Sequence, residues 1–205
     1  MLPAEALRTT FARYLEDVRK RSQPDALYAY TPYEIRNVLS YVHLGQPEAA
    51  NELLIGLLHD RRPLEWQVLA EVVHSRLRFP RYLGDMPHTW IGSEYARAIF
   101  GMLMHEGDDA LSLLPGTPPA WVAGDGLRVD GLPTAYGTLA MAARQQGQTL
   151  RITLAPGLRK DAALKVSWPT RTKPTRVTVD GKAVTDFDDQ GLRTTTPFKE
   201  LVATW

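Results

Sequence analysis

Leu150-Arg151-Ile152-Thr153-Leu154 alternates apolar and polar side chains one by one. On an extended backbone successive side chains point to opposite faces, so the three apolar residues share one side, as in a half-buried strand. The same beat recurs in Leu164-Lys165-Val166-Ser167-Trp168. Val177 and Val179 lead into Asp180-Gly181 and then Ala183-Val184, an Asp-Gly hairpin signal. Thr138 to Arg144 and Gly126 to Val129 suit two more strands. Prolines and glycines punctuate this stretch at the spacing of short antiparallel strands, so residues 109–205 are expected to form an antiparallel β-sandwich.

Upstream, the period changes. Leu7, Phe11, Tyr14, Leu15 and Val18 recur at three- and four-residue steps and make one helical stripe. Thr31-Pro32-Tyr33-Glu34 offers an N-cap, a first-turn proline and a capping-box glutamate. That helix is predicted to run through Ile35, Val38, Leu39 and Val42 and to stop at Gly45. A second helix restarts at Gln46-Pro47-Glu48, carries Ala50, Leu53, Leu54, Leu57 and Leu58, and ends at Arg61-Arg62-Pro63. The short joint makes the two antiparallel neighbours. Trp66 to Val73 is apolar but too short to assign by period. Ser93 to His105 reads as helix, with Tyr95, Ile99, Met102 and Leu103 inward. The fold class is therefore α+β in separate halves, helical over 1–108 and β over 109–205. The change falls near Asp109–Pro119, and Leu111 to Leu114 suits a crossing strand.

Composition narrows the function classes. The chain has 205 residues, 44% hydrophobic and 23% charged, which excludes a disordered chain. A net charge of +1 gives no basic excess for nucleic acid. With no cysteine, thiolate metal sites and cysteine nucleophiles are excluded. His43, His59, His74, His88 and His105 never fall at the i, i+4 spacing of a helical zinc site. Asp108-Asp109 and Asp186, Asp188 and Asp189 suit solvated turns rather than a calcium loop. No metal and no cofactor is expected. No apolar run approaches the ~20 residues that span a bilayer, so no membrane partner is expected. Glu5, Arg8 and Arg13 interrupt the start, so no signal peptide is read there, and the compartment stays unknown.

The densest chemistry is Arg81-Tyr82-Leu83-Gly84-Asp85-Met86-Pro87-His88-Thr89-Trp90-Ile91-Gly92-Ser93-Glu94, a loop entering a helix. Carboxylate, imidazole and indole together suit a sugar: the acid moves protons, the imidazole bonds hydroxyls, and the indole stacks on a ring face. The plainer alternative makes Asp85 or Ser93 a helix cap and Trp90 a core residue. Glu71 stands inside the apolar run Val68-Leu69-Ala70-Glu71-Val72-Val73, where it is either a buried carboxylate or an edge residue facing solvent. Tyr28, Tyr30 and Tyr33 precede a helix, either as the floor of a sugar subsite or as a hydrophobic staple.

Tyr30-Thr31-Pro32, Leu44-Gly45, Ala49-Ala50 with Leu53-Leu54, Trp66, Ala70-Glu71 and Gly84 to Trp90 occur in an order that resembles a known group. Leu114-Pro115-Gly116, Pro119-Ala120-Trp121 and Leu132 to Gly137 extend the pattern. It is similar to the C-terminal third of glycoside hydrolases built on an (α/α)6 toroid, above all the α-L-rhamnosidase-type group and its uncharacterised relatives. The resemblance covers roughly residues 26–155. It implies two carboxylates, usually in inverting chemistry, about 6.5–9.5 Å apart to admit a water. It makes Glu71 the catalytic general base, although Ala70 stands where the family has Trp. It makes His88 a substrate ligand, with Pro87 in place of the family's Asn. Asp85, Trp90 and Tyr30, read above as sugar-binding side chains, are expected around that pair. The family's general acid lies on an earlier helix, and nothing before Leu27 matches it. A toroid takes twelve helices and this sequence offers four or five. The expected object is a C-terminal fragment of a carbohydrate-active enzyme, inactive alone, whose missing N-terminal part completes the cleft around a glycan or glycoside. The alternative is a stand-alone, non-catalytic carbohydrate-binding or interaction protein.

Overall fold

A computed structural model describes residues 3–59, 61, 64–76, 79 and 84–205. The fold is mixed α and β, with largely antiparallel sheets. The chain divides into two compact units, Met1–Gly101 and Met102–Trp205. Among the described residues no helix is long and apolar enough to cross a membrane.

The first unit opens with α1, Ala4–Lys20, whose stripe buries Leu15 and leaves Leu7, Phe11, Tyr14 and Val18 half-buried. The two-residue strand β1, Ala29–Tyr30, leads into a 3-10 turn at Pro32–Ile35 and then α2, Arg36–His43. Thr31 is the cap, its hydroxyl accepting from the Tyr33 N–H at 3.4 Å. The expected reciprocal bond from Glu34 does not form. Its carboxylate takes the Tyr14 hydroxyl at 2.5 Å and the Arg21 guanidinium at 2.9 and 3.0 Å instead. These partners lie 20 and 13 positions away and are invisible to local spacing.

Gly45 ends α2 as read, with φ at +71°. The Gln46 N–H donates to the Tyr41 carbonyl at 2.9 Å and the Gly45 N–H to Val42 at 3.0 Å. This is the Schellman pattern, which needs a left-handed residue at that position. The chain then turns directly into α3, Pro47–His59. Val38, Tyr41 and Val42 of α2 and Ala50, Leu53, Leu54 and Leu57 of α3 are all buried, as two facing stripes require. Tyr41 also reaches α1: its ring meets Phe11 edge-on at 5.3 Å, and its hydroxyl donates to the Phe11 carbonyl at 2.7 Å.

The ambiguous apolar run is no helix. A 3-10 turn at Leu64–Trp66 ends at Gln67, with φ at +54°, and residues 68–72 lead into β2, Val73–His74. β2 pairs antiparallel with β1, Tyr30 opposite Val73. Helix α4, Thr89–Leu103, starts four residues before the expected Ser93, because the His88 carbonyl already accepts from the Gly92 N–H at 3.2 Å. Ile91, Tyr95, Ala98 and Met102 form its buried stripe. Ile99, expected inward, is 38% exposed. At 100° per residue it lies about 80° around the helix from Ile91, off the stripe.

The second unit is built on two sheets. β3, Met104–Glu106, occupies residues that the periodicity assigned to helix. It pairs with β4, Leu111–Leu113, in a four-stranded sheet ordered β11-β8-β4-β3, with β8 at Leu164–Ser167 and β11 at Gly191–Thr194. β4 and β8 run parallel, the other pairs antiparallel. A one-turn helix, α5, Pro119–Val122, precedes the larger sheet. Its six strands run β10-β9-β12-β7-β6-β5. They are β5 Leu127–Thr134, β6 Gly137–Gln146, β7 Thr149–Leu154, β9 Arg176–Val179, β10 Lys182–Val184 and β12 Glu200–Thr204. The Asp180-Gly181 turn closes β9 onto β10 as its sequence requires.

Alternation fills the core from both sheets. Leu139, Met141, Leu150, Ile152 and Leu201 of the larger sheet share one cluster with Leu111, Leu113, Leu164, Val166 and Leu192 of the smaller. Trp168 is fully buried in it, and its indole N–H donates to the Asp188 carbonyl at 2.8 Å. That satisfies the one polar atom a buried indole carries. The Asp188 carboxylate in turn accepts from the Gln190 and Gly191 N–H groups at 2.8 and 2.9 Å, organising the acidic turn.

Candidate functional site

Two backbone hydrogen bonds bring Glu71 and His88 together. The Glu71 N–H donates to the Asp85 carbonyl at 3.0 Å, and the His88 N–H donates to the Leu69 carbonyl at 2.8 Å. Residues 69–71 and 85–88 are thus laced side by side. On its other side the Glu71 carbonyl accepts from the Thr31 hydroxyl at 2.8 Å, which ties the pair to the entrance of α2. The half-buried Glu71 carboxylate faces the turn at Gly84 and accepts from the Asp85 N–H at 3.4 Å. A Cβ on Gly84 would sit 3.0 Å from Glu71 Oε2 and 2.9 Å from Val72 Cγ2. Glycine is what lets the carboxylate lie against the backbone there.

His88 stands at the N-terminus of α4, with its side chain mostly buried. Its Nε2 is 2.8 Å from the Tyr33 hydroxyl, and its Nδ1 is 3.8 Å from the exposed Asp85 carboxylate. If the imidazole is neutral with its hydrogen on Nδ1, Tyr33 donates to Nε2 and the N–H faces Asp85. Tyr33 also meets the rings of His88 and Trp90 edge-on, with centroids at 5.6 and 5.8 Å. Trp90 is 61% exposed, an open indole face rather than a core residue. The Arg36 guanidinium lies 4.6 Å from the Tyr33 ring centre and 6.0 Å from that of Trp90. It is anchored by an ion pair at 3.0 Å to Glu94, a buried carboxylate that Arg97 also reaches at 3.2 Å. Pairing is what makes a buried carboxylate tolerable.

Of the residues singled out in the sequence, contacts therefore link Glu71 to Asp85, Asp85 to His88, and His88 through Tyr33 to Trp90. Tyr30 lies elsewhere. It is buried, the Arg21 guanidinium covers its ring at 4.6 Å, and it lines a separate cavity with Tyr28, Leu57 and His59. It is Tyr33, not Tyr30, that meets His88. The physical reason is the pairing of β1 with β2, which turns the Tyr30 ring toward α1, whereas Tyr33 sits at the second position of the 3-10 turn that follows. Ser93 caps nothing: its hydroxyl donates back to the Trp90 carbonyl at 2.7 Å. Arg62, Pro63, Arg81, Tyr82 and Leu83, named in the sequence readings, lie outside the described residues. Among the described residues no three His, Asp or Glu side chains gather as a cation site.

Arg36 had no motif to announce it, and Glu94 closed the loop-to-helix stretch quoted above without a role of its own. Their contact spans 58 positions, which local spacing does not record. The arrangement can do three things chemically. A carboxylate and an imidazole can take hydroxyl hydrogens, an indole can carry an apolar ring face, and a guanidinium braces both aromatics. No protein-family profile and no curated protein matches the chain.

Proposed function

We propose that the chain is the C-terminal part of a carbohydrate-active enzyme of the glycoside hydrolase type, one that supplies one wall of a glycan cleft. On this reading the first unit is a portion of an (α/α)6 toroid, and the remaining helices come from sequence preceding it. The second unit is a structural β-sandwich, a reading supported by the single core cluster shared between its two sheets. The observation that carries the functional reading is the lacing of Glu71, Asp85 and His88 beside an exposed Trp90. Glu71 serves as general base toward a water, Asp85 and Tyr33 orient the His88 imidazole toward a sugar hydroxyl, and Trp90 stacks on the sugar ring.

A second role for Glu71 has its own support. Its carboxylate accepts the Asp85 N–H and so clasps the loop. Glu71→Gln separates the two roles, because the amide keeps an acceptor oxygen but cannot take a proton. In the complete enzyme this change should leave the melting temperature unchanged and lower kcat by about 10²–10⁴-fold at similar KM. Unchanged kcat would leave only the clasp. For the 205-residue chain, the test is titration with a panel of monosaccharides, rhamnose included, followed at the Trp90 indole N–H by NMR. Binding without turnover is expected, and His88→Ala should abolish it. A panel in which no sugar moves the Trp90 signal would overturn the reading.

A further inference from the structure

The second unit carries a cavity of about 470 Å³ between the segment that follows β7 and the segment that precedes β12. Its floor is apolar: Leu154 and Phe198 are buried members of the core cluster, and Leu158 packs against that cluster. Pro197 lies on one side, and among the described residues the only charged side chains on the lining are Lys160 and Lys199. The walls are pinned by backbone bonds. The Leu154 N–H donates to the Lys199 carbonyl at 3.0 Å, and the Arg159 N–H to the Tyr136 carbonyl at 2.8 Å. The Asp180 carboxylate accepts the N–H groups of both Lys199 and Glu200, at 2.8 and 2.9 Å.

The charge around this cavity is one-sided. Nearby carboxylates are committed: Asp161 to Arg159 at 3.5 Å, Glu200 to Arg151, and Asp180 to two backbone amides. Neither Lys160 nor Lys199 makes an ion pair with a described residue, and both side chains are exposed at the rim. An apolar floor of this size with two uncompensated ammonium groups fits an amphiphile: an apolar body with an anionic end.

We propose that this cavity binds a small apolar carboxylate, aromatic or medium-chain aliphatic, with the apolar body on Leu154, Leu158 and Phe198 and the carboxylate between Lys160 and Lys199. The site belongs wholly to the second unit and does not depend on the carbohydrate reading. The test uses the full chain and compares 2-naphthoate and octanoate with the uncharged methyl ester of 2-naphthoate and with acetate, by calorimetry and by NMR of the Leu154 and Leu158 methyl groups. Both apolar carboxylates should bind and shift those methyls, at least tenfold more tightly than the ester or acetate. Lys160→Gln with Lys199→Gln should weaken them tenfold or more with an unchanged melting curve. Leu158→Trp, which fills the cavity, should abolish binding, and retained folding is checked by the same melting curve. Equal binding of acid and ester would overturn the carboxylate assignment. Absence of any methyl shift, or full affinity in the double lysine variant, would overturn the site.

Discussion

Tyr41 shows how one side chain ties a helix pair to its neighbour and makes the tie sensitive to pH. It is fully buried, and burial pushes its hydroxyl pKa up to about 12, with the Glu52 carboxylate adding to the effect. The Tyr14 hydroxyl is raised too, first by burial and then by its bond to Glu34. The folded state therefore holds these protons more tightly than the unfolded chain, whose tyrosines titrate near pH 10. Their contribution to stability is complete below about pH 10 and is lost as pH rises through the folded values, at roughly 1 kcal/mol per pH unit for each group. Melting temperature should fall steeply between pH 10 and 12, and Tyr41→Phe should flatten that fall. At the site, Gly84→Ala should push the Glu71 carboxylate away from the Asp85 N–H, since the new Cβ meets Glu71 Oε2 at 3.0 Å. The cost is on the order of 1–3 kcal/mol, because the Glu71 carboxylate can give way but its Cβ, also 3.0 Å away, moves only with the backbone. Exchange of the Asp85 amide should rise in that variant, and an unchanged rate would show that the carboxylate is not held there.

Among the elements, the turn between α2 and α3 was readable from local chemistry. Gly45 at φ +71° with open space around it makes the Schellman bond pattern without any tertiary help. Gly45→Ala meets no steric neighbour, so its cost is the left-handed backbone alone, about 1 kcal/mol. Urea denaturation should show that loss in midpoint with no change in slope. The capping box read at Thr31–Glu34 formed only by half, because Glu34 had stronger partners in Tyr14 and Arg21. Trp66 to Val73 resisted assignment because it joins the end of a 3-10 turn, a left-handed Gln67 and the start of a two-residue strand. No period develops over pieces that short.

At the scale of the molecule, apolar surface is distributed unevenly. Leu27, Ile55, Trp66, Met86, Trp90, Ile99 and Phe100 are the exposed large apolar side chains among the described residues, and all lie in the first unit. The second unit buries its apolar residues in one cluster shared by two sheets. Exposed apolar groups promote association. The purified chain should therefore bind a hydrophobic dye and self-associate at high concentration, and Ile55→Lys with Phe100→Lys should reduce both, read by light scattering. A monodisperse chain that binds no dye would show that these side chains form no connected patch.

The alternation of Leu150 to Leu154, the stripes of α2 and α3, the Gly45 stop and the Asp180-Gly181 turn were all determined by the sequence itself. Each depends on side-chain period or backbone freedom within a few residues. Tertiary structure alone decided that Tyr33 rather than Tyr30 meets His88, that Arg36 and Glu94 brace Trp90, and that residues 104–106 leave the helix to become β3. In the first two cases the deciding partner lies far along the chain, Tyr33 and His88 being 55 positions apart, whereas β3 is decided by its pairing with the nearby β4. Local spacing carries no record of contacts at that range, because their free energy exists only once the intervening chain has folded.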